Sequence, residues 1–454
     1  MMTSVFAIAG LQAASAETLE SALSRAYVNN PSLNATRAEV RSTDENVPRA
    51  KSGYRPRVNA TADAGLSIVE GDIPASAQSS HQETTRKLRP RGYGVQVDQN
   101  LFNGFRTENS VRQAESASLG ARETLRNDEQ NTLFNSASSY MNVLRDTAIL
   151  DLQRNNVEVI EEQLRQTRDR FNVGEVTRTD VAQAESRLAA ARSQASLAEA
   201  NLRTSIAVYR QTIGVEPRQL APGRPLDRLL PRNVDAALKV AFSEHPAIKA
   251  SLHGVDAAEL QIKIEEGALA PTVGLSGSVA NRFDNTSFGD RAISASATIQ
   301  LSVPLYDGGV ASASTRQAKE TAGQRRLESD SIRDQVRAAV ISSWGQLEAA
   351  RAQILAAQAQ VEASETALNG VREEARVGQR TTLDVLNAQQ ELLNARVNLI
   401  TAQRDRVVAS YAVVQASGRL NSRALGLNVA HYSAKEHFDQ VKDLWHGLTT
   451  PDGR

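Results

Sequence analysis

Two alternations of different period share this chain. Over residues 57–68, Val58, Ala60, Ala62, Ala64, Leu66 and Ile68 fall on one face. Arg57, Asn59, Thr61, Asp63, Gly65 and Ser67 fall on the other. A period of two predicts a strand with one apolar side. The pattern returns at Tyr93, Val95, Val97 and Leu101 against Gln96, Asp98 and Asn100. It returns again at Ile293, Ala295, Ala297, Ile299, Leu301 and Val303 against Ser294, Ser296, Thr298, Gln300 and Ser302. A weaker strand is predicted around 272–283, where Asn281 interrupts the apolar face. Elsewhere the period is seven. Its four series are Val143, Leu150, Val157, Leu164, Phe171; Val181, Leu188, Ala195, Leu202, Tyr209; Val340, Leu347, Ile354, Val361, Leu368; and Leu386, Leu393, Ile400, Val407, Val414. A strict seven predicts helices coiled left-handed about one another. Between Arg106 and Phe171 there is no proline and a single glycine, Gly120. That predicts one helix of about 65 residues, about 100 Å long; the stretch from roughly Ala311 to Ala375 reads the same way.

The two patterns recur in one order twice. "TLESALSRAYVNNPSLNA" (18–35) matches "NVDAALKVAFSEHPAIKA" (233–250), and Pro56 matches Pro271, at an offset of 215. "NLFNGF" (100–105) matches "PLYDGG" (304–309) at an offset of 204. So does "VGEVTRTDVAQAESRLAAAR" (173–192) with "VGQRTTLDVLNAQQELLNAR" (377–396). A fixed-offset echo of this length predicts an internal duplication. The residues extra to the first half are placed in the polar segment 69–90, read as an exposed loop. The expected organisation is a leader over 1–16, short helices over 17–52, a first β-hairpin over 53–102 and a first long helix pair over 103–214. A linker with further short helices follows over 215–270, then a second hairpin over 271–304, a second long pair over 305–418 and a tail over 419–454. The leader rests on a short apolar run ending in Ala14-Ser15-Ala16, a small-x-small cleavage pattern, although a basic n-region is missing. No later segment offers the roughly 18 uninterrupted apolar residues that a membrane-spanning helix needs.

Composition removes several classes of function. Lys+Arg and Asp+Glu both number 52, so the formal net charge is zero, which argues against a nucleic-acid partner. The absence of cysteine excludes disulfides, thiolate metal sites, a cysteine nucleophile and a lipid-modified N-terminal cysteine. Aromatics at 4% suit narrow helix seams packed on small residues rather than a broad core. The six histidines (His81, His245, His253, His431, His437, His446) show no metal-ligand or triad-like spacing, and no P-loop or H-E-x-x-H is present. The chain therefore reads as a non-enzyme, with no catalytic residue, no metal and no cofactor. Trp344 and Trp445 are read as packing residues.

Four half-apolar strands pose a closure problem. They could pack as a soluble sandwich, but their second faces are rich in Ser, Thr, Gln, Asn and charge, the pattern of a barrel with lipid outside and water inside. Four strands cannot close such a wall, and open edges in lipid leave backbone groups unpaired. Several copies must contribute, giving eight strands or twelve; the period does not choose. Helices of about 100 Å exceed a hydrocarbon core of about 30 Å and must project from it. An α+β membrane protein with a bore is the expected class.

On these residues the chain resembles the TolC family of outer-membrane efflux and type I secretion channels. "RFNVGEVTRTDVAQAESRL" (170–188), "VGQRTTLDVLNAQQELLNAR", "PLYDGG" and the duplicated order carry the likeness, which covers Thr18 to about Gly418. The resemblance implies a homotrimer with a twelve-stranded barrel in outer-membrane lipid and a twelve-helix periplasmic tunnel. It implies a periplasmic adaptor protein and an inner-membrane transporter of RND or ABC type as partners. The rival reading is a trimeric coiled-coil surface adhesin, which keeps its barrel strands at one chain end rather than splitting them between two halves. By motif position, Asp384 matches an acidic site that narrows the pore, Arg380 a latch arginine and Asp180 its acidic partner. Gly174 and Gly378 match turns that meet the adaptor. Arg380 and Asp384, four apart, are expected on one helical face. Asn387 stands where better-known members carry a second aspartate, and Ala375 where they carry a latch tyrosine. A weaker anionic gate and a looser closed state are expected.

Overall fold

The computed structural model describes residues 16–73, 82–286 and 288–453; the expected leader lies outside them apart from Ala16. In chain order the elements are α1 (Leu19–Asn29), α2 (Pro31–Asp44), α3 (Asn46–Lys51), β1 (Arg57–Ala64), β2 (Ser67–Ile73), β3 (Gln82–Leu88), β4 (Arg91–Asn103), α4 (Arg106–Asn172) and α5 (Arg178–Ile213). There follow α6 (Val234–Glu244), α7 (Pro246–Glu266), β5 (Thr272–Phe283), β6 (Arg291–Ser302), α8 (Val310–Arg376), α9 (Thr382–Ala416) and α10 (Ala434–Val441). α4 and α8 each run 67 residues without a break, about 100 Å of helix. Among the described residues no helix is long and apolar enough to cross a membrane.

The chain forms two compact units. One draws on Met1–Glu39, Arg122–Ala250 and Asp330–Ser433. Its interior is a set of narrow seams, as the heptads require: Val336 and Val340 of α8 meet Ala237 and Ala241 of α6, and Leu347 meets Ala409 and Val413 of α9. Trp344 packs against both seams. Small residues let the helices approach closely, so few large side chains are needed. The chain around Glu17 is stitched into this unit by backbone bonds, Glu17 N–H to Gln219 O (2.7 Å) and Ala221 N–H to Glu17 O (2.9 Å). The buried Tyr140 hydroxyl lies 2.7 Å from both the Glu17 and the Ala221 carbonyl oxygens.

His245 ends α6 in the same unit, packed under Gly418. A Cβ at Gly418 would lie 2.7 Å from the His245 Cα, and φ there is +81°, so glycine satisfies both the turn and the approach. Burial pushes the His245 pKa down from 6.5 to about 4. Between those values the unfolded chain binds a proton that the folded one refuses, so stability must fall as pH drops from about 6.5 towards 4. Thermal unfolding across that range is expected to show the loss, and His245→Asn to flatten it. An unchanged slope in the variant would assign the pH dependence elsewhere.

The second unit draws on Val40–Ala121, Ser251–Ser329 and Ala434–Arg454. Its sheet is antiparallel in the order β1–β4–β5–β6. Register places Val58, Val97, Gly277 and Ala297 in one row, and Ala60, Val95, Val279 and Ala295 in the next. Residues directly opposite share a face, so the apolar positions of all four strands form one continuous surface. It is open to solvent in the single chain: Val58, Tyr93, Val279, Ile293 and Ile299 are all more than half exposed. The reverse face carries Asn59, Gln96, Ser278 and Ser296 in register. Leu101 is the extra residue of a bulge between Asn100 and Phe102.

Two expectations are corrected here. The segment 69–90 is not simply a loop. β2 and β3 pair over Ser67–Ile73 and Gln82–Leu88 as a separate two-stranded ribbon. The strand expected over 57–68 ends at Ala64, and Ser67 and Ile68 open β2 instead; beyond them the ribbon is mostly polar and carries no apolar alternation to read. Trp445 is not a packing residue either. It is 69% exposed, with the Arg55 guanidinium 4.7 Å from its ring. The tail is nonetheless anchored within this unit, by His437 Nδ1 to the buried Asp44 carboxylate (3.2 Å) and by Lys51 to Asp443 (2.7 Å).

Candidate gate at the helix-hairpin turns

The turns of both long hairpins lie in the first unit and are built in the same way. After α4, Gly174 takes φ +81°, with Gly174 N–H bonded to Phe171 O and Glu175 N–H to Arg170 O. After α8, Gly378 takes φ +80°, with Gly378 N–H bonded to Ala375 O and Gln379 N–H to Glu374 O. This paired closure by a left-handed residue satisfies the helix's last carbonyls. A Cβ at either glycine would meet nothing within 4 Å, so backbone angle rather than room selects glycine.

The next helix then starts on a reciprocal cap. Thr177 accepts from Asp180 N–H (3.3 Å), and Thr177 N–H donates to Asp180 Oδ2 (2.9 Å). Thr381 accepts from Asp384 N–H (3.2 Å), and Thr381 N–H donates to Asp384 Oδ2 (2.9 Å). The repeated aspartate therefore closes a capping box, occupying two orphan donors of a helix start. The hydrogen bonds from Thr177, side chain first, hold the Asp180 carboxyl below the usual carboxylate range. Those from Thr381, backbone first, do the same for Asp384, with the Arg380 charge adding to the effect.

The cap changes the expected place of Arg380. Because α9 begins at Thr382 behind its Thr381 cap, Arg380 lies in the turn and not on one helical face with Asp384. Its Nε donates to Glu374 Oε2 of α8 at 2.8 Å. Within the chain, then, neither Asp180 nor Asp384 is its hydrogen-bond partner. Asn387 has a partner that residue order did not suggest: its Oδ1 accepts from Arg187 Nη2 of α5 at 2.7 Å. The neighbouring Leu386 is buried among Ile160, Leu164, Ala184 and Leu188 of the other hairpin. One apolar and one polar contact thus tie α9 to α5. Ala375 packs beside Leu368, Val385 and Leu392, and brings no hydroxyl to the turn.

Ion pairs brace each hairpin internally. Arg192 and Glu161 meet at 2.6 Å between α5 and α4, and Arg396 and Glu365 at 2.6 Å between α9 and α8. Arg168 meets Glu185 at 2.6 Å, whereas Arg372 meets the neutral Gln389 at 3.2 Å. All are exposed, so each contributes about 0–1 kcal/mol. A cleft of about 860 Å³ separates the two turns, its walls carrying Glu158, Glu162, Arg170, Asp180, Arg372 and Arg380. The cleft thus carries charge of both signs. Among the described residues no group of three His, Cys, Asp or Glu is placed to hold a metal.

A profile of the family described as outer membrane efflux protein matches residues 22–215 and 237–419. The outer membrane efflux protein BepC of Brucella suis biovar 1 is 45% identical over 98% of this chain and 94% of its own length. The outer membrane protein TolC of Escherichia coli K12 is 26% identical over 90% of this chain and 84% of its own. The Campylobacter jejuni CmeC outer membrane channel superposes with a TM-score of 0.79 at 15% identity, covering 94% of this chain and 89% of that one, a likeness of fold. The chain belongs to the outer membrane efflux protein family.

Proposed function

We propose that this chain is an outer-membrane exit duct for efflux and type I secretion, working as a homotrimer. The observation that carries the reading is the sheet: one continuous apolar face, one polar face and, among the described residues, two unpaired edges, β1 and β6. In lipid an open edge costs several kcal/mol for each unpaired group. Copies that pair β6 of one chain with β1 of the next remove both edges at once. Three copies would give twelve strands, the apolar rows facing lipid and the polar rows facing a water-filled bore. Helices of about 100 Å cannot remain in a bilayer core of about 30 Å, so they continue into the periplasm. Substrate would pass from an inner-membrane RND or ABC transporter through a periplasmic adaptor docked at the Gly174 and Gly378 turns. The chain's own work is positional, because a bore performs no bond chemistry. Asp384 would supply anionic charge near the narrow end, favouring cations and repelling anions.

The test is conductance of the purified protein in planar bilayers, together with its oligomeric mass in detergent. A trimer with discrete, long-lived conducting steps is expected. A monomer that never conducts would end the proposal.

A further inference from the structure

Asn281, the residue that interrupts the apolar face, leads to an unassigned site. Register aligns Ala64, Arg91, Phe283 and Arg291 in one row across the four strands. The next row on the same face is Ala62, Tyr93, Asn281 and Ile293, and the purely apolar rows follow. The apolar surface is therefore capped at one end by two arginines flanking an aromatic ring. Both guanidinium carbons sit over the Phe283 ring, at 5.5 Å for Arg91 and 5.6 Å for Arg291. Asn281 is part of the same structure: its Nδ2 donates to the Tyr93 hydroxyl at 2.9 Å, and its Oδ1 accepts from Arg291 Nε at 3.4 Å.

We propose that Arg91 and Arg291 form a binding site for the phosphate groups of a membrane glycolipid at the outer end of the barrel. The proposal rests on the duct reading above, which sets the apolar face against lipid. Three features argue for it. The row lies at the strand ends away from Asn103 and Ser302, where the chain passes towards α4 and α8. With those helices in the periplasm, this end meets the outer leaflet, where phosphorylated glycolipid is the anionic component. Next, the charges are available. Among the described residues Arg291 makes no ion pair, and Arg91 reaches a carboxylate only at Asp284, 3.7 Å away. Finally, two positions separated by one strand lie about 9–10 Å apart on a rigid sheet. Stacking on Phe283 and the Asn281 bond hold the forks in place, lowering the entropy lost on binding. Arginine presents paired donors matched to phosphate oxygens.

Arg282 provides an internal control. It is adjacent in sequence but points to the opposite face, towards Asp63 at 3.5 Å. Binding is measured by native mass spectrometry of the full chain in mild detergent. The probes are a bis-phosphorylated acylated glucosamine disaccharide, its phosphate-free counterpart, phosphatidylglycerol and inorganic phosphate. The wild type is expected to retain the phosphorylated glycolipid above all other probes. Arg91→Gln with Arg291→Gln is expected to weaken it roughly ten-fold or more, the loss of charge-assisted bonds. Arg282→Gln should bind as wild type, and the Arg91→Lys, Arg291→Lys pair should bind between wild type and the double glutamine variant. Undiminished binding by the double glutamine variant overturns the proposal. So does equal binding of the phosphate-free lipid, of phosphatidylglycerol or of inorganic phosphate. Conductance recorded on the same preparations reports the duct separately, so failure of the lipid site and failure of the duct reading remain distinguishable.

Discussion

Gly104→Ala is expected to destabilise the protein by roughly 2–5 kcal/mol, against roughly 1–2 kcal/mol for Gly308→Ala. Both glycines stand in the strand-to-helix turns written "NGF" and "DGG", and both take left-handed angles, φ +66° and +72°. Phe105 (+62°) and Gly309 (+89°) follow them with positive φ as well. The backbone penalty is therefore shared; the surroundings are not. A Cβ at Gly104 would fall 2.3 Å from the Gly267 carbonyl oxygen and 2.6 Å from the Ala270 Cβ. At Gly308 it would meet nothing within 4 Å. The reciprocal contact is as tight, since a Cβ on Gly267 would lie 2.5 Å from the Gly104 carbonyl oxygen. Two backbone segments cross here without room for a methyl group, so alanine must displace one of them. Urea midpoints of the two purified variants, with unchanged denaturant slopes, decide the matter. Equal midpoints would show that the crossing relaxes freely around an added carbon.

The contrast between these turns shows what residue order reveals and what it hides. The motif match between 100–105 and 304–309 is legible because a left-handed turn restricts residue type locally. Which copy is crowded depends on Gly267, more than 160 positions away, and no local rule reports it. The same division runs through the sheet and the helices. Period two was readable in β1, β4 and β6 because one face is apolar. It runs out in β2 after Ser67 and Ile68 and is absent from β3, and Asn281, which weakens it in β5, is explained by its partners Tyr93 and Arg291. Seven-residue periods fixed the long helices, whose cohesion is local. At the turns, the spacing Thr-x-x-Asp is itself a helix-start signal; reading it would have put Arg380 outside α9 rather than on one face with Asp384. The tie from Arg187 to Asn387 joins positions 200 apart in the chain. It follows from the register between two hairpins, which a single sequence does not encode in any short pattern.

Asp384 carries two roles, one as a cap and one proposed for the pore, and substitution can separate them. Thr381→Ala removes the hydroxyl that receives the Asp384 N–H, at a cost of about 1 kcal/mol, but leaves the charge. Asp384→Asn keeps an acceptor oxygen for Thr381 and removes the charge. If Asp384 lines the constriction, the asparagine variant loses cation preference in planar bilayers while α9 keeps its amide protection. Thr381→Ala does the reverse. Asp180→Asn, altering the matching cap of α5, is expected to leave ion preference nearly unchanged. Acid offers a parallel test. The folded-state pKa of Asp384 lies below the ordinary value of 3.8, so its charge persists through neutral pH. Its contribution is present above the unfolded value and fades only as pH falls through the lower folded one.

Asn387 must be tested together with Arg187. An aspartate at 387 would form an exposed ion pair with that guanidinium, worth about 0–1 kcal/mol. Its charge would be largely offset, so Asn387→Asp alone should raise cation preference little. If Asn387 lines the constriction, the same change in an Arg187→Ala background should raise it severalfold, because the new carboxylate would face the bore uncompensated. Arg187→Ala alone should lengthen open dwell times, since a tie between α5 and α9 is gone while Leu386 still packs between them. If ion preference stays fixed in both backgrounds, Asn387 does not line the constriction, and its hydrogen bond serves only to hold one hairpin against the other.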